Sequence, residues 1–320
     1  MIRVFRYKKD DLKESSPVRL DNLCPDPDLM TWIDLTEPPE ESDVMILKQD
    51  FGIHPLTISA LFEGIQHPRL QEYEHHVFLN ARAIRQVDHD GAYLTGLAVV
   101  LGERYVITAH QDPLDLVERT LERVRNNAGR VCELGPDHLF YMLLDGLVDD
   151  YFTIVDALSE NIDDIDARVG EKFDKHLLGD IAVIKRKVLT LHRALSPLRD
   201  ALLNLRRTDN KFISDHTSVY IRDAFEHMLQ LLDNVETYRE ILSSTSELMM
   251  SAASNRMNEV ITVLTLITSF FIPVTFIAGF YGMNLMMPEF QIPAAYPVVI
   301  ALMVLTVLFM FLWFRHKKWL

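Results

Sequence analysis

The stretch Ile261–Tyr281, ITVLTLITSFFIPVTFIAGFY, decides the fold of this chain, because it runs for 21 residues without a charged side chain. At a rise of 1.5 Å per residue, a helix of that length spans about 30 Å, which is the thickness of the hydrocarbon core of a bilayer. A second uncharged stretch, Tyr296–Phe314 (YPVVIALMVLTVLFMFLWF), follows after a short connection. The sequence therefore predicts two C-terminal transmembrane helices.

The remainder of the chain is strongly acidic. The formal net charge is -14, and the only charges from Ile261 onward are Glu289, Arg315, Lys317 and Lys318, so residues 1–260 carry -16. This charge argues against a nucleic-acid partner, which requires basic patches. It suits a protein that concentrates cations near a pore mouth, although acidity that only keeps the protein soluble explains the charge equally well.

The flanking charges predict the orientation of the two spans. Arg256 precedes the first span, and Arg315, Lys317 and Lys318 follow the second, whereas the connection Gly282–Ala295 has no Lys or Arg. The positive-inside rule then places both chain ends in the cytoplasm and the connection outside. We expect a multi-pass protein of the inner (cell) membrane.

Two spans cannot enclose a pore, so a conducting protein of this kind must form an oligomer. The first span contains most of the polar residues, which makes it the candidate lining helix, and Pro273 removes one of its helical hydrogen bonds. Ser and Thr in membrane helices also bond the carbonyl one turn back, which is the alternative explanation. Residues spaced by three or four along one face are Ile261, Leu264 or Thr265, Thr268, Ile272, Thr275 and Gly279.

Residues 1–135 are typical of a mixed α/β domain, so the predicted fold class is an α+β cytosolic domain with long helices, followed by the two spans. Gly102-Glu103 is predicted to be the turn of a hairpin. The predicted strands are Thr31–Leu35, His76–Ala83, Leu94–Leu101 and Arg104–His110, and the predicted helices are Glu40–Gln49 and Pro55–Glu63.

Long helices are predicted from residue 136 to the membrane. They cover Asp137–Val169, Leu177–Leu205, and a last helix that begins after Asp209-Asn210 or near Ser214-Asp215 and runs continuously into the first span. The predicted organisation is an α/β domain (1–135), a helical region with a long stalk helix (136–260), span 1 (261–281), an external loop (282–295), span 2 (296–314) and a basic cytosolic tail (315–320).

The loop after the first span carries the most specific motif, Tyr281-Gly282-Met283-Asn284. It is followed by Met287-Pro288-Glu289, and the chain ends in Lys318-Trp319-Leu320. With these motifs in register between two uncharged spans, the chain resembles the CorA family of magnesium transporters. The likeness extends upstream through Asp223–Val235, Ser254–Glu259 and His54-Pro55-Leu56. The resemblance implies a homopentamer that admits Mg²⁺ passively, with Co²⁺ and Ni²⁺ as further candidate ions.

The chemistry of Mg²⁺ fits a selectivity filter built from Gly282, Met283 and Asn284. Mg²⁺ releases its water reluctantly, so a pore passes it hydrated only if the pore offers hydrogen-bond acceptors to the outside of the water shell. A ring of Asn284 carboxamides provides neutral oxygens that accept from these waters without binding the ion so tightly that release stalls. Gly282 lets the backbone leave the helix, and Glu289 adds negative potential at the mouth.

The resemblance also implies roles along the pore. Asn258 corresponds to a polar ring at the inner mouth, Leu264 and Ile272 to apolar constrictions, and Thr268 and Thr275 to polar rings between them.

Relatives are closed by cytosolic Mg²⁺ that bridges acids of neighbouring subunits, and Asp223 matches one of these acids. Where relatives can carry an acidic pair, this chain has Ser59 and Ala60, and Glu63 follows one turn later. Either Glu63 or another acid replaces the pair, or regulation differs in this chain.

The membrane potential supplies about 4.6 kcal/mol per 100 mV to a divalent ion moving inward, so no nucleotide is needed. The sequence has no G-x-x-x-x-G-K-[ST] motif and no nucleophile–base pattern, so we expect neither a pump nor an enzyme. Two alternatives remain: a zinc transporter of the same superfamily, and a non-conducting, membrane-anchored sensor or scaffold.

Overall fold

The computed structural model describes residues 2–8, 11–15, 20, 29–61, 68–87, 91–126, 131, 133–169, 175–207, 210–283, 295–317 and 319. The chain forms two compact units, Met1–Ser246 and Glu247–Leu320. The first unit contains a mixed sheet with helices, and the second contains the two uncharged stretches.

A seven-stranded sheet organises the described part of the first unit, in the order β2-β1-β3-β7-β6-β5-β4. Strands β3 and β7 are parallel, and the other neighbours are antiparallel. The strands are β1 (Ile2–Lys8), β2 (Asp11–Ser15), β3 (Met30–Leu35), β4 (Arg69–Glu72), β5 (His76–Val87), β6 (Gly91–Gly102) and β7 (Tyr105–Ala109).

Seven helices complete the described residues of both units. The last two of them, α6 and α7, contain the uncharged stretches. The helices are α1 (Glu41–Gln49), α2 (Pro55–Ala60), α3 (Asp115–Asn126), α4 (Pro136–Val169), α5 (Lys175–Arg207), α6 (Asp215–Tyr281) and α7 (Ala295–His316).

The central strands are buried on both faces, because helices cover both sides of the sheet. Every residue of β3 is buried, including Trp32 and Ile33. Leu47 of α1 and Ala60 of α2 belong to the same apolar cluster as Ile33. Helix α4 contacts β5, β6 and β7, and its Tyr151 hydroxyl donates to a backbone carbonyl of β5.

A charged cluster crosses the middle of this sheet, because strand register places its members side by side. Arg3 of β1 pairs in register with Asp34 of β3, and Asp34 pairs with Thr108 of β7. The Arg3 guanidinium donates to Asp34 Oδ2 at 2.7 Å, and the Thr108 hydroxyl donates to Asp34 Oδ1 at 2.6 Å. Asp34 is fully buried. A buried carboxylate is stable only when it is paired and hydrogen-bonded in this way.

His110 is the third charged group of this cluster, beside Arg3 and Asp34. Its Nε2 lies 3.1 Å from Asp34 Oδ1, and its Nδ1 lies 2.6 Å from the Asp112 carbonyl oxygen. Both partners only accept hydrogen bonds, so both ring nitrogens donate and the imidazole is protonated. Burial lowers the pKa of His110, but Asp34 and the Asp112 carbonyl outweigh burial, so the pKa is raised. Burial likewise raises the pKa of Asp34, but its bonds to His110, Thr108 and Arg3 outweigh burial and lower it.

The long helix α6 starts at a capped end. The Ser214 hydroxyl accepts from the Thr217 backbone N–H at 3.2 Å and donates to Asp137 Oδ2 at 2.7 Å. Asp137 also accepts from the Ser214 backbone N–H at 2.9 Å. Ser at the N-cap position satisfies a free backbone N–H of the first turn. Because Asp137 belongs to the first turn of α4, the starts of the two helices are joined.

The predicted fold class is confirmed: an α+β unit is followed by a long helix that is continuous over 67 residues into the first uncharged stretch, and then by a second apolar helix. Of the two predicted starts for α6, the one near Ser214-Asp215 is the observed one. The predicted helix Pro55–Glu63 is observed as Pro55–Ala60, and residues 62–67 lie outside the described residues.

The prediction for the hairpin turn was wrong by one residue. The β6–β7 ladder pairs Leu101 with Val106, so Gly102 remains in β6 and the turn is made by Glu103 and Arg104. Gly102 is required by the packing of Tyr105, because a Cβ on Gly102 would lie 2.2 Å from the Tyr105 ring. The predicted strand Arg104–His110 is accordingly shorter, Tyr105–Ala109.

Four elements were not predicted: β1, β2, β4 and α3. The edge strands β2 (DLKES) and β4 (RLQE) each contain one apolar residue, so neither has the alternating pattern of a half-buried strand. Their strand conformation comes from pairing with β1 and β5.

We expect replacement of His110 by Gln to change how stability depends on pH. The folded-state pKa of His110 lies above its unfolded value of about 6.5, so its stabilisation is complete below about pH 6.5 and is lost as the pH rises through the folded-state pKa. At about pH 6 the variant should lose about 1.5–3 kcal/mol of unfolding free energy, the range for hydrogen bonds to charged groups. The difference should shrink at about pH 9.

The measurement is urea unfolding followed by fluorescence of Trp32, which is fully buried and donates to Thr108. The other two tryptophans, Trp313 and Trp319, are replaced by Phe in both proteins. A stability difference of the same size at both pH values would contradict the protonated state of His110.

Candidate pore helix

The apolar end of α6 has one face packed against α7 and one face open. Phe270 of α6 and Phe314 of α7 meet edge to face, with ring centroids 5.4 Å apart. Val274, one turn beyond Phe270, lines the same contact together with Val304 and Leu308 of α7. Residues of this packed face are partly covered, and Phe314 is almost fully buried.

The predicted lining residues lie on the opposite face of α6. Phe270 and Val274 follow Thr268 and Ile272 by two residues each, about 200° around the helix. Leu264 and Ile272 are each 62% exposed, and Ile261 is 52% exposed. The structure thus brings together, on one open face, the exposed residues Asn258, Ile261, Leu264, Thr265, Thr268, Ile272, Thr275 and Gly279.

Two threonines near this face bond the carbonyl one turn back. Thr262 donates to the Asn258 carbonyl oxygen at 2.8 Å, and Thr268 donates to the Leu264 carbonyl oxygen at 2.8 Å. In both threonines, bonding within the helix is therefore enough to explain a hydroxyl in a membrane-spanning segment, which is the alternative to a pore role. The bond does not exclude a pore role for Thr268, because its oxygen keeps lone pairs that accept hydrogen bonds from water.

Gly282 directly follows the last residue of α6 and lies close to the helix backbone. Its N–H donates to the Ala278 carbonyl oxygen at 2.9 Å, and a Cβ on Gly282 would lie 2.9 Å from that same oxygen. Any other residue would require the backbone to shift. Gly282 and Met283 are both exposed, whereas the predicted filter residue Asn284 and the loop residue Glu289 lie outside the described residues.

The predicted regulatory acid Asp223 is exposed on α6, near Tyr141 of α4. The pKa of Tyr141 is raised, first by burial, then by Asp145 and also by Asp223. Burial and then Asp149 raise the pKa of Asp145. Sequence reasoning missed Asp145, although the spacing of Asp145 and Asp149 by four residues placed both on one face of α4.

The second predicted regulatory acid, Glu63, lies outside the described residues. Among the residues that are described, no group of three or more His, Cys, Asp or Glu side chains forms a metal site. A site between two copies of the chain would not appear as such a group in one copy.

Two helices in the described part of the chain are long and apolar enough to cross a membrane: α6, through its C-terminal part, and Tyr296–His316 of α7. The most apolar windows of these helices are almost entirely unburied within the chain. A soluble core helix would instead be mostly buried. The fold therefore defines a two-span membrane protein with a large α/β unit before its spans.

Comparison with known proteins identifies the family. Residues 28–316 match the family described as CorA-like Mg²⁺ transporter protein, and the chain belongs to this family. It is 33% identical to the cobalt/magnesium transport protein CorA of Thermotoga maritima, over 100% of this chain and 92% of that protein.

A solved structure and a more distant relative complete the comparison. The complete structure of the CorA magnesium transporter from Methanocaldococcus jannaschii has the same fold, with a TM-score of 0.84 at 22% identity, covering 100% of this chain and 99% of that one. The zinc transport protein ZntB of Photorhabdus laumondii is 21% identical, over 85% of this chain and 83% of that protein.

We expect the two faces of α6 to differ in contact with water. Single cysteines at Thr275 and Val274, adjacent in sequence but on the open and the packed face, form a matched pair in a background with Cys24 and Cys132 replaced by Ser. A charged thiol reagent should label position 275 at least about tenfold faster, because a charged group in hydrocarbon costs about 2.5–3.5 kcal/mol. Equal labelling rates in reconstituted vesicles would contradict a water-lined open face.

Proposed function

We propose that the chain is a subunit of a passive, membrane-potential-driven channel for Mg²⁺, with Co²⁺ and Ni²⁺ as further candidate ions. The observation that carries this proposal is the open face of α6, where Thr268 and Thr275 alternate with Leu264 and Ile272 and are exposed among the described residues of the unit. The Thr268 hydroxyl donates to the Leu264 carbonyl, but its remaining lone pairs gain hydrogen bonds only if this face borders a water-filled axis instead of hydrocarbon.

The open face also supports an oligomer. One chain supplies one such helix, so several copies must place the same face around a common axis. Exposed Leu264 and Ile272 would then be removed from lipid or water by the equivalent residues of neighbouring copies. A homopentamer, expected from the family resemblance, is the assembly we propose, and membrane lipid surrounds it.

Selection of the ion is proposed to occur at a ring of Asn284 side chains. Neutral amide oxygens accept from the waters of hydrated Mg²⁺, so the ion need not lose its shell to enter. Gly282 supports this role, because α6 ends at Tyr281, three residues before Asn284, and a Cβ at position 282 would come too close to the Ala278 carbonyl oxygen. Glu289 adds negative potential at the mouth, and Asn258 and Ile261 line the inner part of the pore.

The proposed orientation places both termini in the cytoplasm of a cell with an inner (cell) membrane. Arg315 and Lys317 lie at the C-terminal end of α7 and are exposed, as the positive-inside rule requires. With the acidic unit on the same side, an inside-negative potential of 100 mV supplies about 4.6 kcal/mol to an entering divalent ion. No nucleotide or nucleic acid takes part.

Zn²⁺ is the second candidate ion, because the chain has a detectable likeness to the zinc transport protein ZntB. Magnesium is favoured by the greater identity to the cobalt/magnesium transport protein of Thermotoga maritima. The preference between Mg²⁺ and Zn²⁺ is therefore part of the test below.

For regulation, we propose that cytosolic Mg²⁺ binds Asp223 together with an acid of a neighbouring copy. Glu63 is the partner expected from the sequence. Asp145 offers a second carboxylate on the same chain, since both Asp145 and Asp223 raise the pKa of Tyr141. Bound Mg²⁺ would hold neighbouring copies together and keep the pore closed.

The first test measures Mg²⁺ uptake into liposomes that contain a Mg²⁺-sensitive dye, under an inside-negative potential. Asn284→Ala should lower selective uptake at least about tenfold, since a loss of about 1.5 kcal/mol per ion at the filter corresponds to that factor. Asn161→Ala is the matched control, because Asn161 is an exposed residue of α4 and its replacement should leave uptake unchanged.

Each outcome separates the candidates. Uptake of Zn²⁺ without Mg²⁺ would favour the zinc transporter, and a well-folded oligomer that passes no divalent ion would leave only the anchored sensor or scaffold. Unchanged selective uptake by Asn284→Ala would contradict the proposed filter.

The second test concerns regulation. Asp223→Asn should raise the internal Mg²⁺ concentration that half-inhibits uptake by about fivefold or more, because removal of a carboxylate ligand weakens cation binding. Asp233→Asn, an exposed acid ten residues further along α6, removes the same charge and should leave inhibition unchanged. Equal shifts in the two variants would show a general charge effect instead of a site.

A further inference from the structure

An apolar groove of about 600 Å³ runs between α6 and α7 within the second unit. Phe270 and Val274 form its α6 wall, and Val304, Leu308 and Phe311 belong to its α7 wall. The α6 wall is the face opposite the open face with Thr268, so the groove does not belong to the proposed pore.

A basic residue continues the α7 wall of the groove. The residues Val304, Leu308, Phe311 and Arg315 are spaced by four, three and four, which places them in one row along the helix. The row from Val304 to Arg315 rises about 16 Å, close to half of the roughly 30 Å hydrocarbon core and so to the depth of one leaflet. Arg315 is exposed, and no salt bridge among the described residues includes it.

An aromatic stack lies at the C-terminal end of α7, close in sequence to Arg315. The Trp319 ring lies parallel to the Phe314 ring, with centroids 5.8 Å apart, and the Trp319 backbone N–H donates to the Phe314 carbonyl oxygen at 3.0 Å. Phe314 also contacts Phe270, which forms part of the groove. Trp313 and Trp319 are both about half exposed, as interfacial tryptophans are.

We propose that this groove, which we call the inter-span groove, binds one acyl chain of an anionic phospholipid, with the headgroup phosphate on Arg315. The length of the row matches one leaflet, the wall is apolar, and Arg315, which forms no ion pair with the described residues, lies at the end of the row where a headgroup belongs. The inference rests on the membrane placement proposed above but not on ion conduction. We propose an anionic lipid because the positive charge of Arg315 attracts an anionic headgroup more strongly than a zwitterionic one.

The test uses tryptophan fluorescence of the full chain in phosphatidylcholine vesicles that contain a small, equal share of brominated phosphatidylglycerol or brominated phosphatidylcholine. Bromine quenches only tryptophans that it contacts. Trp319 stacks on Phe314, which contacts the groove residue Phe270, whereas Trp32 is fully buried in the other unit. Trp313, about half a turn from the row on α7, is replaced by Phe in every protein tested. The protein that retains Arg315 should be quenched more strongly by the anionic lipid.

The matched variants are Arg315→Gln and Lys317→Gln, which remove the same charge two residues apart. Arg315→Gln should lower the preference for phosphatidylglycerol about fivefold, the effect of one basic residue at the membrane surface, and Lys317→Gln less than about twofold. Equal losses would show a diffuse attraction and overturn the proposal, and so would the absence of any loss.

A third variant, Leu308→Phe, fills the groove while Arg315 is retained. Loss of the lipid preference at unchanged oligomer mass supports the proposal, whereas a changed oligomer mass with the preference intact would show that a second copy of the chain occupies the groove. Mg²⁺ uptake measured in the same vesicles separates the two proposals, because lipid preference without uptake would reject the channel and keep the lipid site.

Discussion

A helix that crosses a bilayer and also borders water must present two faces with opposite requirements. In α6 the two faces are separated by about half a turn: Phe270 and Val274 pack against α7, and Thr268 and Thr275 remain open. Because α7 is the only other apolar helix among the described residues, it can cover only one of these faces. The proposals on assembly, conduction and lipid binding all depend on this division.

The spans were predictable from the sequence, because hydrocarbon thickness fixes the length of an uncharged helix. The periodicity of Thr268, Ile272 and Thr275 also predicted one common face, but it did not indicate which face α7 occupies. That choice depends on the contact between Phe270 and Phe314, two residues that are 44 positions apart in the chain. A sequence pattern describes one helix at a time. When two helices are both apolar, neither sequence shows which faces will be in contact.

In the first unit, the prediction was right for buried strands, whose residues form a hydrophobic pattern. It was wrong for edge strands, whose conformation depends on pairing with a neighbouring strand. The buried strand β3 was predicted almost to the residue, whereas the edge strands β2 and β4 lack the pattern. Gly102 had the expected turn chemistry, but it serves to accommodate the Tyr105 ring. The charged cluster around Asp34 could not be predicted, since it combines residues of β1, β3 and β7 that only the register brings together.

The continuity of α6 has a geometric consequence of its own. The helix is anchored at its start by the bond between Ser214 and Asp137, and every further residue turns the following part by about 100°. Within the second unit, one residue inserted between Asn258 and Thr268 would therefore rotate Thr268 relative to Asn258 by more than a quarter turn, whereas about seven residues, close to two full turns, would nearly restore its direction. The spacing of the pore-face residues along this helix is thus constrained in angle as well as in distance.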